Sequence, residues 1–361
     1  MDNLFKFNSV GFGLFYSGII QQENSIFSFA YDCGGKKALA KKRIKEFAAN
    51  VFCLNGYLPA ANMDNQKPAL DMLVISHLHE DHISGIDEIY KNFEVKSVYL
   101  PYILRSEVTH YLLYLAIMNG RQSYDLYEKI NGLYVREAEG ETIVVDNQSS
   151  LAPLQADWHF IFFNQHISDE EMQGYMQPIN AVLERNGIDS FESLKNINDE
   201  RIIIQIKKEL QGRIENTNLN VTSLTLMHYP EKENASLIAI NPETFLGCKN
   251  IVLSNDINRQ KGKNVTLLTG DALYSQETKD NILQYLNNDR KGVLQVPHHG
   301  SYGNWQSMCP EIVGDFQYYV TSGSYAVRYN LPDCRVLSEI LRLKKTPTLV
   351  HEYQEFAYQV K

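Results

Sequence analysis

The chain has 361 residues, 44% hydrophobic and 21% charged, which supplies ample material for a core and excludes a disordered polypeptide. Its formal charge of −9 excludes a surface that coats nucleic acid non-specifically, although a bound divalent cation would reverse the field locally. Five scattered cysteines (Cys33, Cys53, Cys248, Cys309, Cys334) fit neither a disulfide framework nor a Cys-x-x-Cys zinc site, which favours reduced thiols in a cytoplasmic protein.

The first nine residues lack the basic-then-apolar layout of a signal peptide, and no apolar run reaches membrane length, so no membrane contact is expected. Residues 11–20 and 25–31 read as two strands of a hairpin around a polar turn, ending at the breaker Asp32-Cys33-Gly34-Gly35. Residues 36–47 are basic and helical. Residues 70–76 form a nearly continuous apolar run, the mark of a strand buried on both faces. A helix over 84–92 and a strand over 95–100 continue an α/β rhythm. From 106 to 133 the pattern is helical, with Tyr111, Leu112, Leu115 and Met118 on one face. Strands follow at 142–145 and 159–163.

Residues 168–216 are charged and helical, opening on Ser168-Asp169-Glu170-Glu171, a helix-start signal. They read as an insertion that caps the site or binds a protein partner, within a single domain of residues 1–361. Strands return at 220–228, 236–240, 251–253 and 265–268, then a helix at 281–287. Strands at 292–296 and 318–321 and a helix at 335–342 come next, and 346–360 alternates weakly as an edge strand would.

The chemistry concentrates at His77-Leu78-His79-Glu80-Asp81-His82, directly after the buried strand. Imidazole and carboxylate donors without a thiolate suit zinc, manganese or iron. On an extended tip His77 and His79 point to one side, and a turn at Asp81-His82 aims a second pair at a neighbouring position. One loop can thus serve two ions, as two-metal hydrolysis requires.

The run from Ser76 to Gly85 resembles the HxHxDH-x-x-G signature of the metallo-β-lactamase superfamily. Tyr31-Asp32-Cys33-Gly34, Leu267-Leu268-Thr269-Gly270-Asp271-Ala272 and Val296-Pro297-His298-His299-Gly300-Ser301 resemble its other motifs in order. The resemblance implies an αββα sandwich and a metal-dependent hydrolase holding one or two Zn2+ ions, with Mn2+ or Fe as alternatives. It further implies His77 and His79 on a first metal, Asp81, His82 and His298 on a second, Asp271 bridging and Asp32 buttressing the loop. Adjacent side chains diverge, so one of His298 and His299 is expected to bind. His298 is favoured, leaving His299 to orient it or touch substrate, with Asp81, Asp271 and His299 as the catalytic set. Ser301, Tyr302 and Asn304 are candidate substrate contacts.

The TGDA and PHHGS segments, with Asn220-Val221-Thr222-Ser223-Leu224 and Arg328-Tyr329-Asn330-Leu331-Pro332, resemble the ComEC competence-type branch, associated with nucleic-acid cleavage. That likeness implies a nucleic acid or small phosphodiester as substrate. An ester, lactone or thioester, or a non-catalytic metal-bearing scaffold, are the alternatives. Two departures stand out. The superfamily's third histidine of the first site has only His159, His166 and His228 as candidates by order, and Asn220 lies in its region. Leu331 replaces the branch's histidine before proline.

Overall fold

Strands that are apolar on both faces must be covered on both, and the computed structural model meets this demand with three separate cores. It describes residues 3–21, 25–55, 66–101, 108–119, 125–126, 134–138, 143–145, 158–164, 169–214, 223–231, 235–240, 264–286, 291–314, 316–324 and 330–361. The expected strand at 251–253, the motif residues Asn220, Arg328 and Tyr329, His166, Cys248 and the flanks of the 106–133 helix lie outside them.

In chain order the strands begin with β1 (Asn3–Phe7), β2 (Tyr16–Gln21), β3 (Ile26–Tyr31), β4 (Ala69–Leu70), β5 (Met72–Val74) and β6 (Glu94–Val95). They continue with β7 (Ser97–Pro101), β8 (Tyr134–Ala138), β9 (Ile143–Val145), β10 (Trp158–Phe163), β11 (Thr225–Pro230) and β12 (Leu237–Ile240). The last are β13 (Val265–Leu268), β14 (Lys291–Gln295), β15 (Tyr318–Ser322), β16 (Pro347–Val350) and β17 (Phe356–Val360). The helices are α1 (Lys37–Leu54), α2 (Glu80–Ile83), α3 (Ile86–Asn92), α4 (Val108–Asn119), α5 (Asp169–Arg185) and α6 (Phe191–Lys195). After them come α7 (Glu200–Ile214), α8 (Gln276–Tyr285), α9 (Tyr302–Ser307), α10 (Pro310–Val313) and α11 (Cys334–Arg342).

One sheet has the order β12-β17-β1-β2-β3-β5-β7-β8 and the other β16-β15-β14-β13-β11-β10-β9. Each is antiparallel on one side and parallel on the other, with β3-β5-β7-β8 and β13-β14-β15-β16 running parallel. Alternation then partitions the side chains. Phe29, Met72, Val74, Leu226 and Val293 fill the space between the sheets. Leu73 and Ile75 face α1, α3 and α4, while Met227 and Leu294 face α8 to α11. The result is a four-layered αββα sandwich, as the sequence resemblance implied.

Residues 169–214 carry three helices rather than one continuous run. Met176, Ile179, Leu183, Phe191, Ile206 and Leu210 join the same core as α1 and α3, so these helices belong to the outer layer of the first sheet. No described helix is long and apolar enough to cross a membrane.

Three expectations are corrected. The strand expected at 11–20 starts only at Tyr16, because residues 11–15 leave the sheet to pack on the histidine loop, where Leu14 N donates to the Asp81 carbonyl at 3.2 Å. The strand β1 was not expected; Phe5 and Phe7 alternate with Lys6, which is buried against Glu355 at 2.7 Å. Residues 346–360 are two strands, not one. β16 is an edge, but β17 lies between β12 and β1 and is buried along its length, because the chain reverses at His351–Gln354 and crosses to the first sheet.

Of the candidates for a third metal histidine, His228 sits between the sheets. Trp158 Nε1 donates to its Nδ1 at 3.3 Å, so its Nε2–H donates to the Tyr16 hydroxyl at 2.9 Å. Tyr16 in turn meets Tyr358, which meets Thr266, each pair of hydroxyls 2.6 Å apart. His228 is a satisfied core residue. His159 stacks on Tyr229 at 5.0 Å on the far side of β10 and β11.

Burial pushes the His228 pKa from 6.5 down to about 3. The folded protein therefore holds it neutral, while the unfolded chain protonates it below pH 6.5. Its contribution to stability is complete above that pH and is lost as pH falls toward 3, on the order of 5 kcal/mol in all. His228→Gln, which keeps hydrogen bonding without a titratable ring, should flatten the fall in melting temperature between pH 6.5 and 3 relative to wild type. An unchanged acid limb would contradict this account.

Candidate metal centre

All the parallel strands near the middle of both sheets end at one place, the setting where α/β proteins assemble ligand sites. Asp32 follows β3, the histidine loop follows β5, Gly270-Asp271 follows β13, His298-His299 follows β14 and Ser322 closes β15. The two sheets are stitched there by Leu224 N donating to the Ser76 carbonyl at 2.8 Å and Tyr31 donating its hydroxyl to the Leu224 carbonyl at 2.7 Å.

Asp32 is fully buried with φ 55°. Its Oδ1 accepts Ser76 N–H and its Oδ2 accepts the Ser76 hydroxyl, both at 2.7 Å; Oδ2 also accepts His82 Nδ1–H at 2.7 Å. Since Ser76 Oγ donates to Asp32, it can only accept from His77 Nδ1, 3.0 Å away. Burial raises the Asp32 carboxyl, with His82 and Ser76 acting against it. Gly34 completes this corner, because a Cβ on it would stand 2.0 Å from the Asp81 carbonyl oxygen.

The second half of the site is built on Gln295, a polar residue that follows the apolar pair Val293-Leu294 at the end of β14. Its Oε1 accepts the N–H groups of Thr269 and Gly270 at 2.7 and 2.8 Å, and its Nε2 donates to the Gly270 carbonyl at 3.1 Å. These bonds shape the turn that presents Asp271. His298 N–H donates to the same Gly270 carbonyl at 3.0 Å. The tandem histidines both adopt left-handed backbone, φ 48° and 52°, a conformation costly for non-glycine residues and frequent at functional sites. Gly300 lets Pro332 close over the turn, since a Cβ there would come within 2.5 Å of Pro332 Cβ.

The expected placement of the tandem pair differs from what the fold does. Adjacent side chains diverge on a regular strand, but here both rings reach the cluster. His299 is buried; its Nδ1–H donates to the Ser322 carbonyl at 3.1 Å and its Nε2 lies 3.1 Å from Asp81 Oδ2. It is His299 rather than His298 that meets Asp81 and His82. His298 is 31% exposed; Asn304 Oδ1 accepts its Nδ1–H at 3.0 Å and its Nε2 lies 3.5 Å from Asp271 Oδ2. Asn304 also donates to the carbonyls of Asp271 and Ala272 at 2.9 and 3.1 Å, so it orients the site and is not free for substrate. Tyr302 lies under the Arg335 guanidinium, 3.9 Å from the ring centroid.

Four histidines thus spend Nδ1–H on protein acceptors and leave Nε2 facing two carboxylates. His77 Nε2 is 3.6 Å from Asp271 Oδ2, and His82 Nε2 is 3.3 Å from Asp271 Oδ1 and 3.7 Å from Asp81 Oδ2. The His79 ring lies 4.6 Å from that of His77. His77 with His82 and Asp271, and Asp81 with His82 and His299, form two compact donor groups among the described residues.

These residues fit a divalent cation. His77 Nε2, His82 Nε2 and Asp271 Oδ1 are buried without any hydrogen-bond partner, a condition costing about 1–3 kcal/mol per group when nothing fills it. Donors held about 2.1 Å from a tetrahedral ion stand about 3.4 Å apart, close to the separations above. The field agrees. Burial opposes charge on His82, but Asp271, Asp81 and Asp32 outweigh it and hold its pKa well above the ordinary value, so a positive charge is favoured at that point. Burial likewise opposes ionisation of Asp271, yet His82, His77 and His298 hold its carboxyl well below the usual range. Burial, reinforced by His82, pulls His77 well below 6.5 and keeps its nitrogen available.

No family model and no curated protein matches the chain. Among solved structures it is similar to the metallo-β-lactamase MIM-1 from Novosphingobium pentaromativorans, at 8% identity over 84% of this chain and 81% of that one, TM-score 0.31. The Rm3 metallo-β-lactamase matches at 11% identity over 85% and 87%, TM-score 0.28. Rubredoxin oxygen:oxidoreductase from Desulfovibrio gigas matches at 11% over 96% and 91%, TM-score 0.22. Superpositions this loose leave the architecture resting on its own strand order.

Neither Ser76 nor Gln295 stands out from sequence as functional. Gln295 carries a readable signal, a lone amide inside Val293-Leu294-Gln295-Val296; Ser76, next to a histidine, carries none. Asp32→Asn should lower metal affinity by roughly 10–100-fold, as loss of a ligand-orienting carboxylate does, while far-ultraviolet circular dichroism stays unchanged. Chelator competition reads the affinity, and an unaltered value would mean that Asp32 does not orient His82.

Proposed function

We propose that this chain is a metal-dependent hydrolase of phosphodiester bonds, in a nucleic acid or a small nucleotide. The observation that carries the reading is the convergence of four Nε2 atoms, those of His77 and His82 buried without a hydrogen-bond partner, on the carboxylates of Asp81 and Asp271 at the carboxyl ends of parallel strands. His77, His79, Asp81, His82 and Asp271, with the tandem His298-His299, would hold one or two divalent ions. Zinc, manganese or iron suits a donor set of imidazole and carboxylate without thiolate.

When bound, such ions supply Lewis acidity and bring the pKa of a water near neutrality. The protein's own groups do the rest. Asp32, Ser76, Asn304 and the Ser322 carbonyl fix the imidazole tautomers, so each Nε2 is presented without rearrangement during turnover. Asp81, with 27% of its side chain exposed, is the carboxylate of the cluster that reaches solvent, and is placed to steer the attacking water. His298 and His79 are the partly exposed imidazoles of the cluster. The phosphodiester assignment is supported by a donor set rich enough for two ions, which when bound would supply the clamp on the attacking and leaving oxygens that an in-line displacement uses, and by the resemblance of the TGDA and PHHGS segments to the competence-type branch.

Hydrolysis of bis(p-nitrophenyl) phosphate should be abolished by EDTA, restored by Zn2+ or Mn2+, and reduced more than about 100-fold in Asp81→Ala/His82→Ala, beyond the cost of losing a residue that only orients a ligand. Metal-replete protein that turns over an ester, lactone or thioester but no phosphodiester would replace this substrate assignment.

A further inference from the structure

We infer that Arg335, stacked on Tyr302 and tethered to Asp333, is a phosphate clamp beside the histidine cluster. It grips a phosphate next to the scissile one, and so selects a polynucleotide strand over a lone phosphodiester. This rests on the phosphodiesterase reading above and names the substrate class within it.

Arg335 stands at the start of α11, and the segment before it is docked on the tandem-histidine turn. Pro332 packs over Gly300, where a Cβ would come within 2.5 Å of Pro332 Cβ, and Asp333 N–H donates to the Gly300 carbonyl at 3.0 Å. From there the guanidinium reaches back over α9, its carbon 3.9 Å from the centroid of the Tyr302 ring. The same short helix carries Asn304, which holds His298. One helix thus orients a partly exposed histidine of the cluster and supplies the platform for a cation beside it.

The guanidinium is ordered and still open. Its Nε donates to Asp333 Oδ1 at 3.0 Å and its Nη2 to Asp333 Oδ2 at 2.6 Å. These bonds use two of the five N–H groups of an arginine. The Nη1–Nη2 edge has no protein partner among the described residues, and the side chain is 60% exposed. Such an edge presents two parallel N–H groups, the geometry that grips two oxygens of a phosphate. With the ring against one face and the carboxylate along the Nε edge, the long side chain has little freedom left to lose on binding. Glu339, one turn further along α11, does not compete for it, because it accepts Trp305 Nε1–H at 2.6 Å. Asp333 caps α11 through the Arg335 backbone N–H at 2.8 Å, a bond that does not need the arginine side chain.

Zinc-loaded full-length protein should cleave a single-stranded oligothymidylate with a higher kcat/KM than TpT, which has no second phosphate. Arg335→Ala should lower that preference about 10-fold or more, through KM, as loss of charged hydrogen bonds does. Arg335→Lys, which keeps the charge without the fork or the flat face, should restore only part of it. Arg342→Ala removes an exposed arginine at the far end of α11 and should leave the preference within about threefold of wild type. Anisotropy of fluorescein-labelled oligothymidylate on chelator-stripped protein reads binding without turnover, and there Arg335→Ala should raise Kd by about the same factor as it lowers the preference. The inference is overturned if Arg335→Ala keeps the wild-type preference, if Arg342→Ala lowers it equally, if Arg335→Lys restores it fully, or if the stripped wild type binds no oligothymidylate. Should the zinc-loaded wild type cleave esters but neither nucleic-acid substrate, the phosphodiesterase reading fails. An Arg335-dependent Kd then upholds the phosphate clamp alone, and an Arg335-independent one overturns it as well.

Discussion

The carboxylate of Asp32 is completely buried, and the candidate metal centre depends on how its two oxygens are satisfied. Three hydrogen bonds, all 2.7 Å, reach it from Ser76 N, Ser76 Oγ and His82 Nδ1. They join the end of β3 to the end of β5 and fix two imidazoles at once, His82 directly and His77 through Ser76. Because a buried carboxylate without partners is so unfavourable, this arrangement admits little slack. Asp32 stands at φ 55°, and the tight passage of Gly34 against the Asp81 carbonyl follows immediately.

The other half of the cluster is secured by different means to the same end. Gln295 shapes the Gly270-Asp271 turn, Asn304 holds His298, and the Ser322 carbonyl holds His299. Every visible anchor takes Nδ1, so the Nε2 atoms are left to each other and to the carboxylates. Such a group is stable only with positive charge at its centre, which is why the same feature reads as an electrostatic problem and as a binding site. The half-buried Phe12 ring, 4.2 Å from His299, closes the edge of the cluster and comes from the segment that leaves the first sheet before β2.

The resemblance of the two sheets extends beyond their stacking. Each has an antiparallel side followed by four parallel strands, and each contributes its parallel ends to the site. Asp271 is the point where the halves meet, one oxygen toward His77 and one toward His82. Helices at 169–214 thicken the outer layer of the first sheet and share its core.

Much of this was legible in the residue order. Periodicity located the buried strand at β5, the hairpin of β2 and β3, and the helices flanking them, because alternation and helical spacing are local properties of the chain. The histidine loop was legible for the same reason: six consecutive residues carry its donors. What the sequence could not decide depends on partners far apart in the chain. β17 looked like an edge strand because weak alternation is shared by edges and by interior strands whose two faces meet different cores. His228 was a candidate ligand until the sheets closed around it. His298 and His299 were expected to divide into ligand and bystander, since regular backbone makes neighbours diverge; only the left-handed turn, held by Gly270, Pro332, Asn304 and Ser322 together, brings both rings to the cluster.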